Sequence, residues 1–146
     1  MYDKTTEQLD RILGETSGER GLREYLESLG QSGDDLTIQG YFNYIIAKKQ
    51  LEAADVVRES NLAPAYAYQI LNGTKKHPAR MKIVALCLGC RMTLPETQRA
   101  LEIAGLRKLY PRDAADAVII FHINNGNCSV DDINMKLHEL GLELVE

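Results

Sequence analysis

Three groups of residues have the types and spacing for chemistry. Cys87 and Cys90 are separated by Leu-Gly, the interval that sets two thiolates on one metal ion or in one redox pair. Asp34-Asp35 and Asp131-Asp132 are paired carboxylates, the residue type of general acid–base work. Asn72-Gly73 is followed by Lys75, Lys76 and His77, a basic loop suited to neutralising phosphate.

The first two groups have plainer readings. A zinc site at Cys87 and Cys90 needs two more ligands, and Cys128, His77, His122 and His138 stand at no recognisable spacing from them. An internal repeat, described below, aligns Cys87 with Ile123 and Cys128 with Met92. These are apolar core positions, where a free cysteine behaves as a small hydrophobe. His122 aligns with Leu86 and reads as an interior histidine. The acid pairs fall at a helix start or in a loop, where carboxylates suit the positive end of a helix dipole. There is no nucleophile elbow and no glycine-rich phosphate loop. Neither catalysis, metal nor cofactor is expected, which leaves the basic loop.

The chain has 146 residues, 45% hydrophobic and 26% charged, with a mean hydropathy of −0.26. Those values fit one soluble domain, or one with an appendage. A net charge of −4 and a pI near 5.4 exclude a chain uniformly coated for nucleic acid. The charge is unevenly placed. Met1 to Leu36 carries 4 basic and 9 acidic residues, Thr37 to Arg91 carries 8 and 3, and Met92 to Glu146 carries 5 and 9. A +5 centre therefore lies between flanks of −5 and −4. No run reaches the roughly 18 apolar residues of a spanning helix, and the start has no basic stretch leading into an apolar one. A cytoplasmic protein without a membrane partner is expected, and its three cysteines cannot all pair within the chain.

Apolar residues recur at helical spacing, and no segment alternates as a half-buried strand does, so the fold class is all-α. Helices are expected over Thr5–Glu15, Glu19–Leu29, Leu36–Lys48, Leu51–Glu59 and Pro64–Leu71, with a loop at Gly30–Asp35. Shifting by 36 residues lays Thr93–Leu106 on Ser129–Leu142 and Arg80–Leu88 on Asp116–Asn124. Thr93 and Ser129 become matching N-caps, each with an acid three residues on, Glu96 or Asp132, in capping-box position. Gly105 and Gly141 coincide as C′ residues. Two copies are too few for a solenoid, so the second is read as an added helical hairpin. The divisions are 1–35, an N-terminal hairpin and linker; 36–91, the basic core; and 92–146, further helices ending in that second hairpin.

Within the core, one short helix ends at Ser60-Asn61 and the next starts at Pro64. Asn tolerates the left-handed backbone of a tight turn, and Pro presets the first helical φ. Leu62, Ala67 and Ile70 point inward on this reading, while Ala65, Tyr68, Gln69 and Asn72 point out. The pattern is a helix-turn-helix with a basic loop behind it. Tyr25, Tyr41 and Tyr66 read as buried-stripe tyrosines whose hydroxyls reach the surface; Tyr44 and Tyr68 read as candidates for exposure.

The segment SNLAPAYAYQILNGTKKHP, Ser60 to Pro78, resembles the lambda/Cro-type repressor domain, the XRE group of bacterial and phage transcriptional regulators. The likeness takes in Leu36 to about Gly89. It implies a five-helix repressor-type core, flanked here by the two terminal hairpins, that binds double-stranded DNA with its second motif helix in the major groove. Carried over, the groove-facing residues are Ala63, Pro64, Ala65, Tyr68, Gln69 and Asn72. Gln69 is the best base reader, since a carboxamide pairs bidentately with adenine, and Ala65 meets a thymine methyl. Tyr68 contacts phosphate or sugar, and Lys75, Lys76, Arg80 and Lys48 neutralise phosphates. Two residues depart from the family pattern: Ala63 stands where a capping Ser is usual, and Val57 replaces a small Ala. The resemblance also implies a homodimer, with the acidic terminal hairpins as dimer or partner surfaces. The alternative reading is an adaptor that docks an acidic protein on the same basic face.

Overall fold

A computed structural model of the chain describes residue 4, residues 6–30 and residues 37–146, with 28–30 as backbone alone. The expected loop at Gly30–Asp35, its acids Asp34 and Asp35, the helix starts at Thr5 and Leu36 and the stripe position Leu29 fall wholly or partly outside the described residues. Every regular element among the described residues is helical: α1 (Thr6–Glu15), α2 (Gly18–Gly30), α3 (Ile38–Lys48), α4 (Ala53–Glu59), α5 (Pro64–Leu71), α6 (Arg80–Gly89), α7 (Leu94–Ile103), α8 (Ala114–Asn124) and α9 (Val130–Glu139). The protein is all-α.

The core is centred on α6, whose residues from Ile83 to Gly89 are all buried. Helices as short as α4 and α5 are unstable alone and depend on this packing. α4 and α7 pack on α6, α3 packs on α5 and α7, and α4 packs on α5. Tyr41, Phe42, Ile45, Ile70 and Leu101 fill the space between them. The charge-based division at Arg91 therefore cuts a packed five-helix unit, α3–α7, which runs on to Ile103. Closeness at one point needs a glycine: a Cβ on Gly89 would sit 2.5 Å from the Val56 carbonyl oxygen.

α8 and α9 form the second hairpin, lying against α7 and α6. Its α9 half repeats α7 closely. Thr93 and Ser129 cap their helices, accepting from the Glu96 and Asp132 amides. Gly105 and Gly141 have φ of 71° and 70°. A clasp beyond the aligned segment also recurs: the Gln98 carboxamide bonds both backbone groups of Leu109, as Asn134 does with Val145, at 2.7–2.9 Å. The copies differ in three places. Glu96 closes its capping box on the Thr93 amide, but Asn127 takes that role for Ser129, and Asp132 accepts from the Asn127 side chain instead. The left-handed residues after α6 and α8 are Arg91 and Gly126, 35 apart rather than 36, so the register slips by one residue in the first helix of the pair. Cys87 then falls opposite His122 and not Ile123. α8 also begins at Ala114, before the expected Asp116.

The joint between the core and this hairpin combines apolar packing, with Ile119, Ile133 and Leu137 in the common core, and a buried ion pair. Asp116, 2% exposed at its side chain, accepts from Arg80 at 2.7 Å and from the Tyr110 amide at 2.9 Å. The Arg80 guanidinium also donates to the Arg107 and Lys108 carbonyls. In the N-terminal hairpin, α1 buries no residue, and Leu13, Leu22 and Leu26 are exposed. Thr6 donates to Glu102 at 2.6 Å, linking α1 to α7.

Candidate nucleic-acid interface

α4 and α5 are joined by Ser60–Ala63, and each residue of the turn has a local reason for its place. The buried Ser60 hydroxyl donates to the Val57 carbonyl at 2.6 Å and accepts from the Leu62 amide at 3.2 Å. Asn61 takes the left-handed conformation, φ 60°, and its side-chain amide donates to Asp131 of α9. Leu62 is buried. No side chain caps α5 at Ala63, which follows from the missing hydroxyl. Pro64 occupies the first turn, where the absent N–H has no partner to lose.

Burial divides α5 cleanly. Ala67, Ile70 and Leu71 are in the core, while Ala63, Pro64, Ala65, Tyr68 and Asn72 are exposed and Gln69 is half-buried. Tyr68 is 43% exposed. Five of the six expected groove-facing residues are thus exposed, and the sixth is half-buried. Tyr66 is half-buried at the margin of this face, in keeping with a stripe tyrosine whose hydroxyl reaches the surface. Tyr41 is buried, whereas Tyr25 and Tyr44 are half-buried.

The basic loop is fixed to the end of α5. The Lys75 amide donates to the Gln69 carbonyl at 2.9 Å. The Asn72 side-chain oxygen accepts from the Thr74 amide at 2.9 Å. Gly73 has φ 86°, a backbone conformation that favours glycine; a Cβ there would also meet the Gln39 carboxamide, the flexible end of a side chain that can move aside. Asn43 of α3 donates to the Leu71 carbonyl. A cleft of about 340 Å³ lies between the loop and the start of α3, lined by Thr37, Gln39, Lys75, Lys76 and His77 among others.

The cations sort into two groups. Lys49 pairs with Glu96 at 2.9 Å, Arg58 with Asp55 at 2.9 Å and Arg80 with Asp116. No described carboxylate lies within ion-pair distance of Lys48, Lys75, Lys76 or Lys82. Arg80, expected on the phosphate-facing side, is instead consumed by the α6–α8 joint, because the buried Asp116 accepts from it. Lys48 lies at the far end of α3 from the loop, its ammonium 5.7 Å from the Tyr44 ring centre. Lys82 was not expected; its ammonium lies 5.5 Å from the Tyr66 ring centre, and that of Lys75 lies 5.2 Å from it. The signal for Lys82 was its place two residues beyond Arg80 in the basic block.

The thiols belong to the interior. Burial pushes Cys87 well above the ordinary thiol range, and pushes Cys90 up to about 12. Both are fully buried, and Cys128 is half-buried. Such thiols are poor sources of the thiolate that metals and redox partners need. Burial favours the neutral form of Glu96, yet the hydrogen bonds from Lys49 and the Thr93 amide hold its carboxyl below its ordinary value. His122 is half-buried, its Nδ1 2.8 Å from the Val118 carbonyl.

No family model, curated protein or solved structure matches this chain. No helix among the described residues is long and apolar enough to cross a membrane.

Proposed function

We propose that α4, the Ser60–Ala63 turn and α5 act as a helix-turn-helix, and that the protein binds double-stranded DNA by sequence as a repressor-type transcriptional regulator. The observation that carries this reading is the company of the exposed α5 face. Lys75 and Lys82 border it at Tyr66 and Lys76 follows in the loop after it, none with a described carboxylate partner, in a protein whose net charge is −4. Cations left without counterions at one place in an acidic protein favour a polyanionic partner there.

On this reading α5 enters the major groove. Gln69 reads adenine through its carboxamide, Ala65 packs on a thymine methyl, and Asn72 and Tyr68 border the contact. Lys75, Lys76 and, further along, Lys48 neutralise phosphates. The face made by Ala63, Pro64 and Ala65 offers few hydrogen bonds to bases, so shape and deformability of the duplex supply part of the selectivity. The reading calls for no cofactor and no covalent step, and sets the protein in the cytoplasm. It also calls for a homodimer on two-fold-related half-sites about one helical turn apart. The exposed Leu13, Leu22 and Leu26 of the N-terminal hairpin, and Phe121, Met135 and Leu140 of the second hairpin, are apolar surface available to a second copy.

Selection from a random duplex pool tests the proposal. Enrichment of one motif, with paired half-sites for the dimer, is the expected result. A pool that emerges unenriched contradicts it.

A further inference from the structure

Successive residues of an α-helix are turned by about 100°. With Ala67, Ile70 and Leu71 of α5 inward, Ala65, Gln69 and Asn72 lie along the outward line. Tyr68 borders that strip on one side and Tyr66 on the other. Only the Tyr66 border carries paired cations: Lys75 Nζ is 5.2 Å and Lys82 Nζ 5.5 Å from its ring centre. The two ammoniums are thus no more than 10.7 Å apart, the sum of those distances. They come from different places, Lys75 from the loop after α5 and Lys82 from the first turn of α6. Neither has a carboxylate partner among the described residues. An aromatic face attracts a cation, and one ring here holds two that repel each other. A bound polyanion would relieve that repulsion.

We propose that Lys75, Tyr66 and Lys82 form a clamp for the phosphodiester backbone of a DNA duplex, at the groove wall beside the α5 strip. Tyr66 is the positioning residue and the two ammoniums make the contact. The clamp rests on the DNA reading given above. Successive phosphates of one strand rise about 3.4 Å along the duplex axis, within reach of two ammoniums held this way. The contact carries no base information, so it adds to affinity on every sequence alike.

Binding of the full chain to duplexes of several sequences, followed against salt concentration, tests the clamp. Lys82→Ala is expected to lower the slope of log affinity against log salt by about 0.9, and Lys75→Ala with Lys82→Ala by about 1.8, equally on all sequences. Tyr66→Phe keeps the ring and is expected to keep the wild-type slope, whereas Tyr66→Leu flattens it. If Tyr66→Leu fails to fold, the lysine variants decide alone. Wild-type binding with an unchanged slope in Lys82→Ala overturns the clamp and leaves the DNA reading standing. So does a Tyr66→Phe variant that loses as much as Tyr66→Leu. A wild-type protein without duplex affinity at low salt overturns both.

Discussion

Lys75 and Lys82 beside the exposed face of α5, and Lys76 in the loop that follows it, stand without a described carboxylate partner. Arg80, between them in sequence, is turned into the joint of α6 and α8, where Asp116 and two carbonyls take its donors. The two regions carry the same charge in the same stretch of chain and do different work. What separates them is whether a buried acceptor waits within reach. Lys49 and Arg58 are likewise occupied, by Glu96 and Asp55. The +5 of this block is therefore spent partly on holding the fold, and only the remainder faces outward.

The sharpest way to break this contrast is at the joint. Asp116→Ala leaves Arg80, only 17% exposed at its side chain, without its counterion. Removing one partner of a buried pair costs about 3–5 kcal/mol, to be read from denaturant unfolding. A loss below about 1 kcal/mol would mean that the ion pair does not fasten the second hairpin. The opposite result is expected from Lys75→Glu with Lys76→Glu. Stability should stay within about 0.5 kcal/mol of the wild type, while affinity falls on every duplex and the salt slope flattens by at least about 1.8.

Gln69→Ala separates base reading from phosphate contact on the exposed side. Discrimination at one or two base positions should relax by about 1–3 kcal/mol, seen as a degraded motif in pool selection. An unchanged motif removes Gln69 from the readers. The smallest effect concerns Lys49 and Glu96. The Glu96 carboxyl is held below its ordinary value, so its contribution is present above the unfolded value and is lost as pH falls through the folded one. Glu96→Gln should make stability less dependent on pH on the acid side, measured by thermal unfolding between about pH 3 and 6. An unaltered acid limb would show that the Lys49 pair adds no linkage.

Much of the fold was legible because its signals are local. α5 begins at Pro64 and ends at Leu71 as expected. The Thr93–Glu96 capping box forms, and Asn61, Gly105 and Gly141 take the left-handed conformation. What the sequence did not disclose depends on distant partners. Arg80 and Asp116 are 36 residues apart, and nothing in the local pattern around Arg80 distinguishes it from Lys82. Tyr66 fits an apolar stripe by spacing, yet two lysines from separate elements meet on its ring. The exposed strip of α5 was readable from periodicity, and the cations that border it only in part.

The central claim is that the unpartnered lysines beside α5 meet DNA phosphates. Affinity of the wild-type chain for a random duplex, measured from low to moderate salt, tests it most directly. Neutralisation by Lys75, Lys76 and Lys82 predicts a fall of log affinity with log salt at a slope of about −2.7 or steeper. No duplex binding at low salt, with binding instead to an acidic polypeptide, would contradict the claim and favour an adaptor that docks a protein on the same face.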